Sequence, residues 1–135
     1  MENLNNLKNF YKNKRIFITG HTGFKGTWLS IILSYLDAKI YGYSLSPKKN
    51  SLFKITKVKN KFLSSTYADI TYIKNLKKKL RASNPEIIFH LAAQPLVIES
   101  YKKPLETFNT NIMGTLNLLE CLRDIKSIKS VIIVT

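Results

Sequence analysis

The feature that most restricts how this chain can fold is a glycine-rich turn between a β-rich run and a helical stretch. Arg15–Thr19 is β-branched and aromatic, which predicts a buried strand. The turn that follows reads Thr-Gly-His-Thr-Gly-Phe-Lys-Gly over residues 19–26. Beyond it, residues 27–36 predict a helix with one apolar face, formed by Trp28, Leu29, Ile32, Leu33 and Leu36. Spaced glycines between a strand and a helix are typical of a dinucleotide-binding turn.

Each glycine of this turn has a separate task if the turn binds a pyrophosphate. Gly20 can take the backbone angles of a tight turn, Gly23 removes a side chain where the main chain approaches the ligand, and Gly26 lets the helix pack closely. The free N–H groups near Phe24 and Lys25 are expected to face the phosphates, aided by the helix dipole. The alternative is that the glycines merely make a turn, and the flanking strand and helix favour the binding interpretation.

The rest of the chain repeats the alternation of β-rich runs and helical stretches. Further strands are predicted at residues 39–44, 61–67, 86–90 and 130–135, with helices at about 70–82 and 104–122 and a loop from residue 46. This alternation predicts a parallel sheet covered on both faces. We therefore expect a Rossmann-type, doubly wound α/β fold of strand order 3-2-1-4-5. It is one incomplete NAD(P)-binding domain over residues 1–135, ending at the fifth strand.

Composition restricts the partners of such a domain. The formal charge of +14 comes almost entirely from lysine, which is typical of solvated faces, so a nucleic-acid partner is not expected. Cys121 is the sole cysteine, which excludes an internal disulfide and a thiolate metal cluster. No secretory signal and no apolar run of membrane-spanning length is visible, so we expect a cytoplasmic protein without a membrane partner.

The end of the second predicted strand leaves the choice between NAD and NADP open. A carboxylate there would hold the ribose 2′-OH of NAD, whereas basic groups accept the 2′-phosphate of NADP. This chain has Tyr43-Ser44 at that point, with Lys48 and Lys49 nearby. Neither pattern is complete.

Several other residues have structural interpretations that compete with functional ones. His90 ends a buried strand and His21 lies in the turn, so structural roles are favoured over metal binding or acid–base work, and no metal site is expected. Cys121 is expected to be a small buried residue. Asp69 either caps the following helix or contacts an adenine, and the second interpretation is favoured. The stripe of the long helix expected to face the sheet comprises Phe108, Ile112, Leu116 and Leu119.

Three groups of residues match a known pattern. The glycine spacing of residues 19–26, Asp69-Ile70 and His90-Leu91-Ala92-Ala93 occur where the extended short-chain dehydrogenase/reductase superfamily has them. Longer strings at residues 20–30, 51–53 and 90–97 point to one family within this superfamily. So does a spaced set made of Ser100-Tyr101, Pro104, Thr107, Asn111, Gly114-Thr115 and Leu118-Leu119-Glu120. Over about residues 10–135 the chain resembles the amino-terminal portion of the CDP-glucose 4,6-dehydratase family.

The resemblance implies a lyase of nucleotide-sugar metabolism that is homo-oligomeric at full length. In that family a tightly held NAD⁺ takes hydride from C4 of CDP-glucose, water leaves across C5 and C6, and the hydride returns to C6. The product is CDP-4-dehydro-6-deoxyglucose, a precursor of deoxysugars in surface polysaccharides. The resemblance assigns the pyrophosphate to Gly20, Thr22, Gly23, Phe24, Lys25 and Gly26, the adenine to Asp69 and Ile70, the ribose side to Leu91, Ala92 and Ala93, and the nicotinamide and substrate side to Gln94 and Asn111.

Two departures limit what the resemblance implies. Ile98-Glu99 stands where the family usually has an arginine, which affects the substrate mouth. The family's Ser/Thr-Asp pair and its helical Tyr-x-x-x-Lys pair would come after Thr135, so no catalytic residue is named. The apolar run at residues 131–134, without lysine or proline, would be a hazardous sheet edge and favours a truncated enzyme over a stand-alone binding module. We expect weak dinucleotide binding, no turnover and no substrate-binding domain.

Overall fold

The sheet that the sequence predicts is present in the computed structural model, which describes residues 2–134. All its strand pairs are parallel, and its order is β3-β2-β1-β4-β5. The strands are β1 (Arg15–Thr19), β2 (Lys39–Ser44), β3 (Phe62–Tyr67), β4 (Ile87–His90) and β5 (Ser130–Ile133). The first two have the predicted bounds, and the others differ by a residue or two, so the doubly wound α/β class and the order are confirmed.

The helices pack on both faces of this sheet. They are α1 (Glu2–Tyr11), α2 (Phe24–Tyr35), α3 (Leu52–Ile55), α4 (Ile73–Ser83), α5 (Val97–Lys102), α6 (Pro104–Phe108) and α7 (Gly114–Leu122). A π-helical turn at Asn109–Met113 joins α6 to α7, and a 3₁₀ turn at Val58–Lys61 precedes β3. The long helix predicted from residue 104 is therefore present with an interruption. The sequence did not predict α1, α3 or α5.

Two hydrophobic clusters, one on each face of the sheet, form the core. The cluster beneath α2 is built around Ile16, Ile18, Leu33 and Ile40. The other lies beneath α4 and α7 and includes Phe17, Tyr43, Ile70, Leu76, Leu80, Ile88, Leu118 and Cys121. The central strand β1 sends alternate side chains to both clusters, because successive residues of a strand point to opposite faces. Cys121 is buried as expected, and burial raises the pKa of its thiol.

The predicted sheet-facing stripe of the long helix is wrong. Phe108, Ile112, Leu116 and Leu119 are between 42% and 62% exposed. The helix instead rests on the core through Gly114, Leu118, Cys121 and Leu122. The stripe has correct helical spacing, but both sides of this helix are apolar. Periodicity identifies a face without saying which face packs, and the π-helical turn adds a residue that rotates the faces.

The apolar face predicted for α2 is only partly buried. Leu33 and Leu36 lie in the core, whereas Trp28 and Ile32 are about half exposed, at 49% and 53%. Small residues occupy much of the sheet-facing side, because α2 begins in close contact with the glycine turn; they are Gly26, Thr27 and Ser30. Among residues 2–134, no helix is long and apolar enough to cross a membrane.

Candidate cofactor-binding site

The glycine turn lies at the carboxyl end of β1, between the ends of β2 and β4. Gly20 has a φ of +75°, and a Cβ at this position would lie 2.6 Å from the carbonyl carbon of Leu91. The Gly20 N–H donates to the Tyr43 carbonyl of β2 at 2.9 Å. Only glycine suits both the left-handed angle and the close approach of the β4 segment. The turn therefore sits at the point where the strand order reverses, which is where doubly wound sheets bind ligands.

The first turn of α2 presents free backbone donors at this point. Gly23 precedes the helix in an extended conformation and offers no side-chain cap. The first intrahelical bond runs from the Thr27 N–H to the Gly23 carbonyl, at 2.9 Å. The N–H groups of Phe24, Lys25 and Gly26 have no acceptor within the part of the chain that the structure describes. Such a cluster of N–H groups at a positive helix end fits a pyrophosphate.

Gly26 brings α2 against the turn. A Cβ at Gly26 would lie 2.8 Å from the His21 Cα, so a larger residue would push the helix away. The hydroxyl of Thr27 donates to the Gly23 carbonyl at 2.8 Å, and that of Ser30 donates to the Gly26 carbonyl at 2.6 Å. These bonds satisfy the hydroxyls where α2 is buried. The close packing predicted for Gly26 is confirmed.

His21 lies beneath the turn and packs among aromatic side chains. Its ring is fully buried, stacks on Tyr67 with 6.3 Å between centroids, and lies over Gly42. Nε2 shares a hydrogen bond with the Ser65 hydroxyl at 2.8 Å, while Nδ1 has no well-aligned partner among residues 2–134. Burial lowers the pKa of His21 to about 4, and a backbone contact with Tyr43 opposes this only in part. The structural role predicted for His21 is therefore confirmed.

The end of β2 contacts the turn through hydroxyl groups. The hydroxyls of Thr22 and Ser44 are 2.8 Å apart, and Thr22 also donates to the Leu45 carbonyl at 3.0 Å. No carboxylate occurs in this contact. Thr22 thus fixes the turn against the position where an acidic residue would bind the ribose of NAD.

A buried hydrogen-bond chain crosses the site through His90. The Ala92 N–H donates to the Thr19 hydroxyl at 3.2 Å, and that oxygen lies 2.6 Å from His90 Nδ1. His90 Nε2 lies 2.9 Å from the Thr115 hydroxyl, which donates to the Asn111 carbonyl at 2.7 Å. Because Thr115 gives its only proton to Asn111, Nε2 carries the ring proton and Nδ1 accepts from Thr19. Burial lowers the pKa of His90, which matches a neutral ring with both nitrogens satisfied.

The segment after β4 is held to the long helix by Gln94 and Asn111. The Gln94 N–H donates to Asn111 Oδ1 at 2.8 Å, and Asn111 Nδ2 donates to the Gln94 carbonyl at 3.2 Å. The Gln94 side chain bonds to Thr107 at 3.0 Å and to the Leu96 backbone. Asn111 lies within the π-helical turn, which directs its side chain and the following Thr115 to the same segment. The structure therefore brings together the two residues predicted to lie on the substrate side.

The residues predicted to contact the adenine and the ribose differ in how far they are exposed. Asp69 Oδ1 accepts from the N–H and hydroxyl of Thr71, at 2.8 and 2.7 Å, so it fixes the turn before α4. The Ile70 side chain is 5% exposed and packs on Gly114, so only its main chain could make the predicted adenine contact. The segment after β4 joins β1 through its backbone and is partly or fully exposed; it comprises Leu91, Ala92 and Ala93.

Sequence reasoning missed the polar connection between these parts. Thr19 and Thr115 are the two hydrogen-bond partners of the His90 ring, and the sequence pattern does not indicate either role. Thr115 stood next to a glycine in a matching string, which was the available signal. Tyr35 and Lys39 have the spacing Tyr-x-x-x-Lys, but they lie on α2 and β2 and do not share a helix. Across the described part of the chain, no group of three metal-ligating side chains occurs.

The fold and the turn define a Rossmann-type domain of the dinucleotide-binding class. The family model described as GDP-mannose 4,6 dehydratase matches residues 17–135, and the chain belongs to this family. The CDP-glucose 4,6-dehydratase of Salmonella typhimurium is 46% identical over 95% of this chain and 36% of its own length. The GDP-mannose 4,6-dehydratase of Vibrio cholerae is 29% identical over 82% of this chain and 31% of its own. The chain thus spans about a third of the length of these relatives.

Solved structures support the same fold. Pen from Bacillus thuringiensis aligns with a TM-score of 0.79 and 25% identity, covering 92% of this chain and 37% of that one. The UDP-glucose 4-epimerase of Stenotrophomonas maltophila, with bound NAD and formylated UDP-arabinopyranose, has a TM-score of 0.76 at 21% identity and covers 90% and 36%. The resemblance to 4,6-dehydratases and extended short-chain dehydrogenases, inferred from the sequence, is confirmed.

Proposed function

We propose that this chain is the cofactor-binding part of a nucleotide-sugar 4,6-dehydratase that converts CDP-glucose to CDP-4-dehydro-6-deoxyglucose and water. The observation that carries the proposal is the cluster of free N–H groups of Phe24, Lys25 and Gly26 beside Gly20, at the switch point of the sheet. The preference for CDP-glucose rests on the 46% identity to the Salmonella enzyme of that name. The alternatives are a dinucleotide-binding module without catalysis and a part of another nucleotide-sugar dehydratase or epimerase.

The residues present fit a nicotinamide dinucleotide. The first turn of α2 would hold the pyrophosphate, since Gly23 places no side-chain cap over its free N–H groups. Asp69 and the main chain of Ile70 would border the adenine, with Leu91, Ala92 and Ala93 along the ribose side. When bound, the cofactor accepts and returns a hydride. NAD is the form that the resemblance implies, and bound NAD in epimerase structures supports a cofactor of this kind.

The part of this chain in the reaction is to bind and to orient. Gln94 and Asn111 lie on the side expected to face the nicotinamide and the sugar, and their reciprocal bonds fix the segment that would line it. The neutral rings of His21 and His90 hold no proton ready for transfer at neutral pH. We therefore expect binding without turnover by residues 1–135. A cytoplasmic location, a homo-oligomer at full length and the absence of nucleic-acid or membrane partners remain predictions.

A carboxylate placed at the start of α2 tests the proposed pyrophosphate site. In Gly23→Asp the new side chain would bond to the free N–H groups of α2 and repel phosphate, so dinucleotide binding should be lost while the helix keeps its stability. The matched control is Asn13→Asp, which adds the same charge at an exposed position before β1 and should leave binding unchanged. Binding is measured by calorimetry with NAD⁺ and NADP⁺, and folding by circular dichroism.

Product analysis separates the alternatives. The chain is incubated with CDP-glucose and NAD⁺, and the 4-dehydro-6-deoxy product is sought by NMR. Binding of a dinucleotide without product agrees with the proposal. Formation of product would contradict the assignment of catalysis to residues outside this chain, and failure of both dinucleotides to bind would contradict the cofactor role itself.

A further inference from the structure

The hydrogen bonds of the His90 side chain are part of a set that closes on itself. The Thr19 hydroxyl donates to His90 Nδ1 at 2.6 Å, and His90 Nε2–H donates to the Thr115 hydroxyl at 2.9 Å. The Thr115 hydroxyl donates in turn to the Asn111 carbonyl at 2.7 Å. This path leads from the end of β1 through β4 to α7 and the π-helical turn before it.

The return path runs through the segment that follows β4. The Gln94 N–H donates to Asn111 Oδ1 at 2.8 Å, and two residues earlier the Ala92 N–H donates to the Thr19 hydroxyl at 3.2 Å. The backbone of residues 92–94 joins these two bonds and closes the set, which we call the hydrogen-bond circuit. Its members are Thr19, His90, Thr115, Asn111 and residues 92–94.

Burial and proton direction make the members of this circuit depend on one another. Thr19 is fully buried and His90 is 2% exposed, so solvent offers no ready substitute for a missing partner. The hydroxyls of Thr19 and Thr115 each accept one hydrogen bond and donate another, and the two nitrogens of His90 do the same. Because the bonds run in one direction and polarise each other, loss of one member weakens its neighbours as well.

The circuit joins the two sides of the proposed cofactor crevice. Thr19 directly precedes Gly20, whose turn is the proposed pyrophosphate site. Residues 91–94 form the other side, which the family resemblance assigns to the ribose and the nicotinamide. The two sides meet at Gly20, where a Cβ would lie 2.6 Å from the Leu91 carbonyl carbon. A dinucleotide that lies along both sides binds best when their separation is fixed in advance.

We propose that Thr19 and His90 are positioning residues for the dinucleotide. Through Ala92 and Asn111 they hold residues 91–94 at the distance from the glycine turn at which both halves of one cofactor bind together. The proposal rests on the proposed cofactor role and deepens it. A ligand that occupies only the turn is independent of the circuit, whereas a ligand that spans both sides gains its second set of contacts only at the right separation.

The test compares NAD⁺ with ADP, which carries the adenosine and the two phosphates but no nicotinamide half. Calorimetry gives the dissociation constant of each ligand, and ADP serves as the reference for the turn alone. Thr19→Val replaces the hydroxyl by a methyl group of similar size. NAD⁺ binding should weaken about tenfold, the equivalent of one buried hydrogen bond, while ADP binding stays the same.

A conservative variant and a matched control separate positioning from a general loss of stability. Thr19→Ser keeps a hydroxyl and should restore most of the affinity for NAD⁺. Ser83→Ala also removes a buried hydroxyl hydrogen bond, at 3.0 Å to the Leu80 carbonyl, but it does so at the end of α4. It should leave the ratio of the two dissociation constants unchanged. Urea unfolding establishes that each variant is folded under the conditions of the binding assay.

A second variant tests whether the effect passes through the whole circuit. Thr115→Val interrupts it on the other side of His90, so it should also weaken NAD⁺ selectively, and it carries the test alone if Thr19→Val does not fold. Since either change opens the same circuit, the double variant should lose little more affinity than one single variant. Imidazole ¹⁵N NMR should find the proton of neutral His90 on Nε2.

The outcomes distinguish this inference from the cofactor role on which it rests. Unchanged NAD⁺ binding in the folded variants, or equal weakening of NAD⁺ and ADP, overturns the positioning role and leaves the cofactor role standing. Additive losses in the double variant, or a His90 proton on Nδ1, overturn the closed circuit. Failure of both ligands to bind the unchanged protein overturns the cofactor role, and the inference with it.

Discussion

Acidification should destabilise this protein through His21. The ring is fully buried under the glycine turn, and burial lowers its pKa from 6.5 to about 4. Between pH 6.5 and about pH 4, His21 binds a proton in the unfolded chain but stays neutral in the folded protein. The neutral ring therefore contributes stability that is complete above pH 6.5 and is lost as the pH falls toward 4.

The size of this effect follows from the two pKa values. Since one pKa unit corresponds to 1.36 kcal/mol, the fall from 6.5 to about 4 is worth about 3 kcal/mol in the free energy of unfolding. About 2 kcal/mol of it should already be lost at pH 5. This is a large part of the roughly 5–15 kcal/mol that stabilises an ordinary domain.

Urea unfolding between pH 5 and pH 7.5 measures the loss, with circular dichroism as the probe. The lower limit of pH 5 keeps most of the titration of the carboxylates outside the measured range. Burial acts to raise the pKa of Glu86, but the Arg15 N–H and the charges of Arg15 and Lys14 outweigh it and lower that pKa, so Glu86 titrates mainly at lower pH. The comparison protein is His21→Gln, which keeps a donor toward Ser65 but cannot titrate. It should be less stable at pH 7.5, because it lacks the ring contacts, yet lose less stability on acidification.

The difference between the two pH profiles isolates His21, because His90 is present in both proteins and its pKa is also lowered by burial. The wild-type profile should be steeper by about 2 kcal/mol over this range. Parallel profiles would refute the reasoning, since they would mean that the His21 ring titrates near its ordinary value or that its protonation is tolerated in the fold.

Three substitutions test the packing and hydrogen bonding of the site. Gly20→Ala forces a Cβ into a left-handed position against Leu91 and should cost about 2–4 kcal/mol by urea unfolding, with loss of dinucleotide binding in calorimetry. Gly114→Ala would place a Cβ 2.5 Å from Ile70 Cγ2 and should lower the free energy of unfolding by about 1–3 kcal/mol; an unchanged midpoint would contradict the close packing. Thr115→Val removes the acceptor of the His90 ring N–H, at a cost of about 1–3 kcal/mol, whereas Thr115→Ser should restore most of it.

The strands were predicted better than the helices, for a physical reason. In this sheet β1 is buried on both faces, so its sequence is a continuous run of β-branched and aromatic residues that nothing else explains. The helices α2 and α7 carry apolar side chains on two sides, and spacing alone does not say which side meets the sheet. The short α3 and α5 depend on tertiary contacts and have no cap or periodic signal of their own.

In the site, too, features that depend on local sequence were predicted and those that depend on distant residues were not. Gly20 and Gly26 were predicted because a tight turn and a close approach demand glycine, a requirement that is local in sequence. The chain through Thr19, His90 and Thr115 was not predicted, because its members are up to 96 residues apart and meet only when β1, β4 and α7 are assembled. Polar groups buried at such a junction must pair, but the sequence does not say with what.

The polar groups around the crevice are arranged to hold backbone in place. Asp69 uses one carboxylate oxygen on its own turn, and Gln94 and Asn111 bond to each other. The rings of His21 and His90 are neutral because burial penalises their charged forms. A general base needs a pKa near the working pH and an approach to substrate, and neither histidine has both. What these residues leave free is the row of N–H groups at the start of α2, whose only strong ligand is an anion. The described site is therefore suited to binding an anion such as a pyrophosphate, as the proposed cofactor role requires.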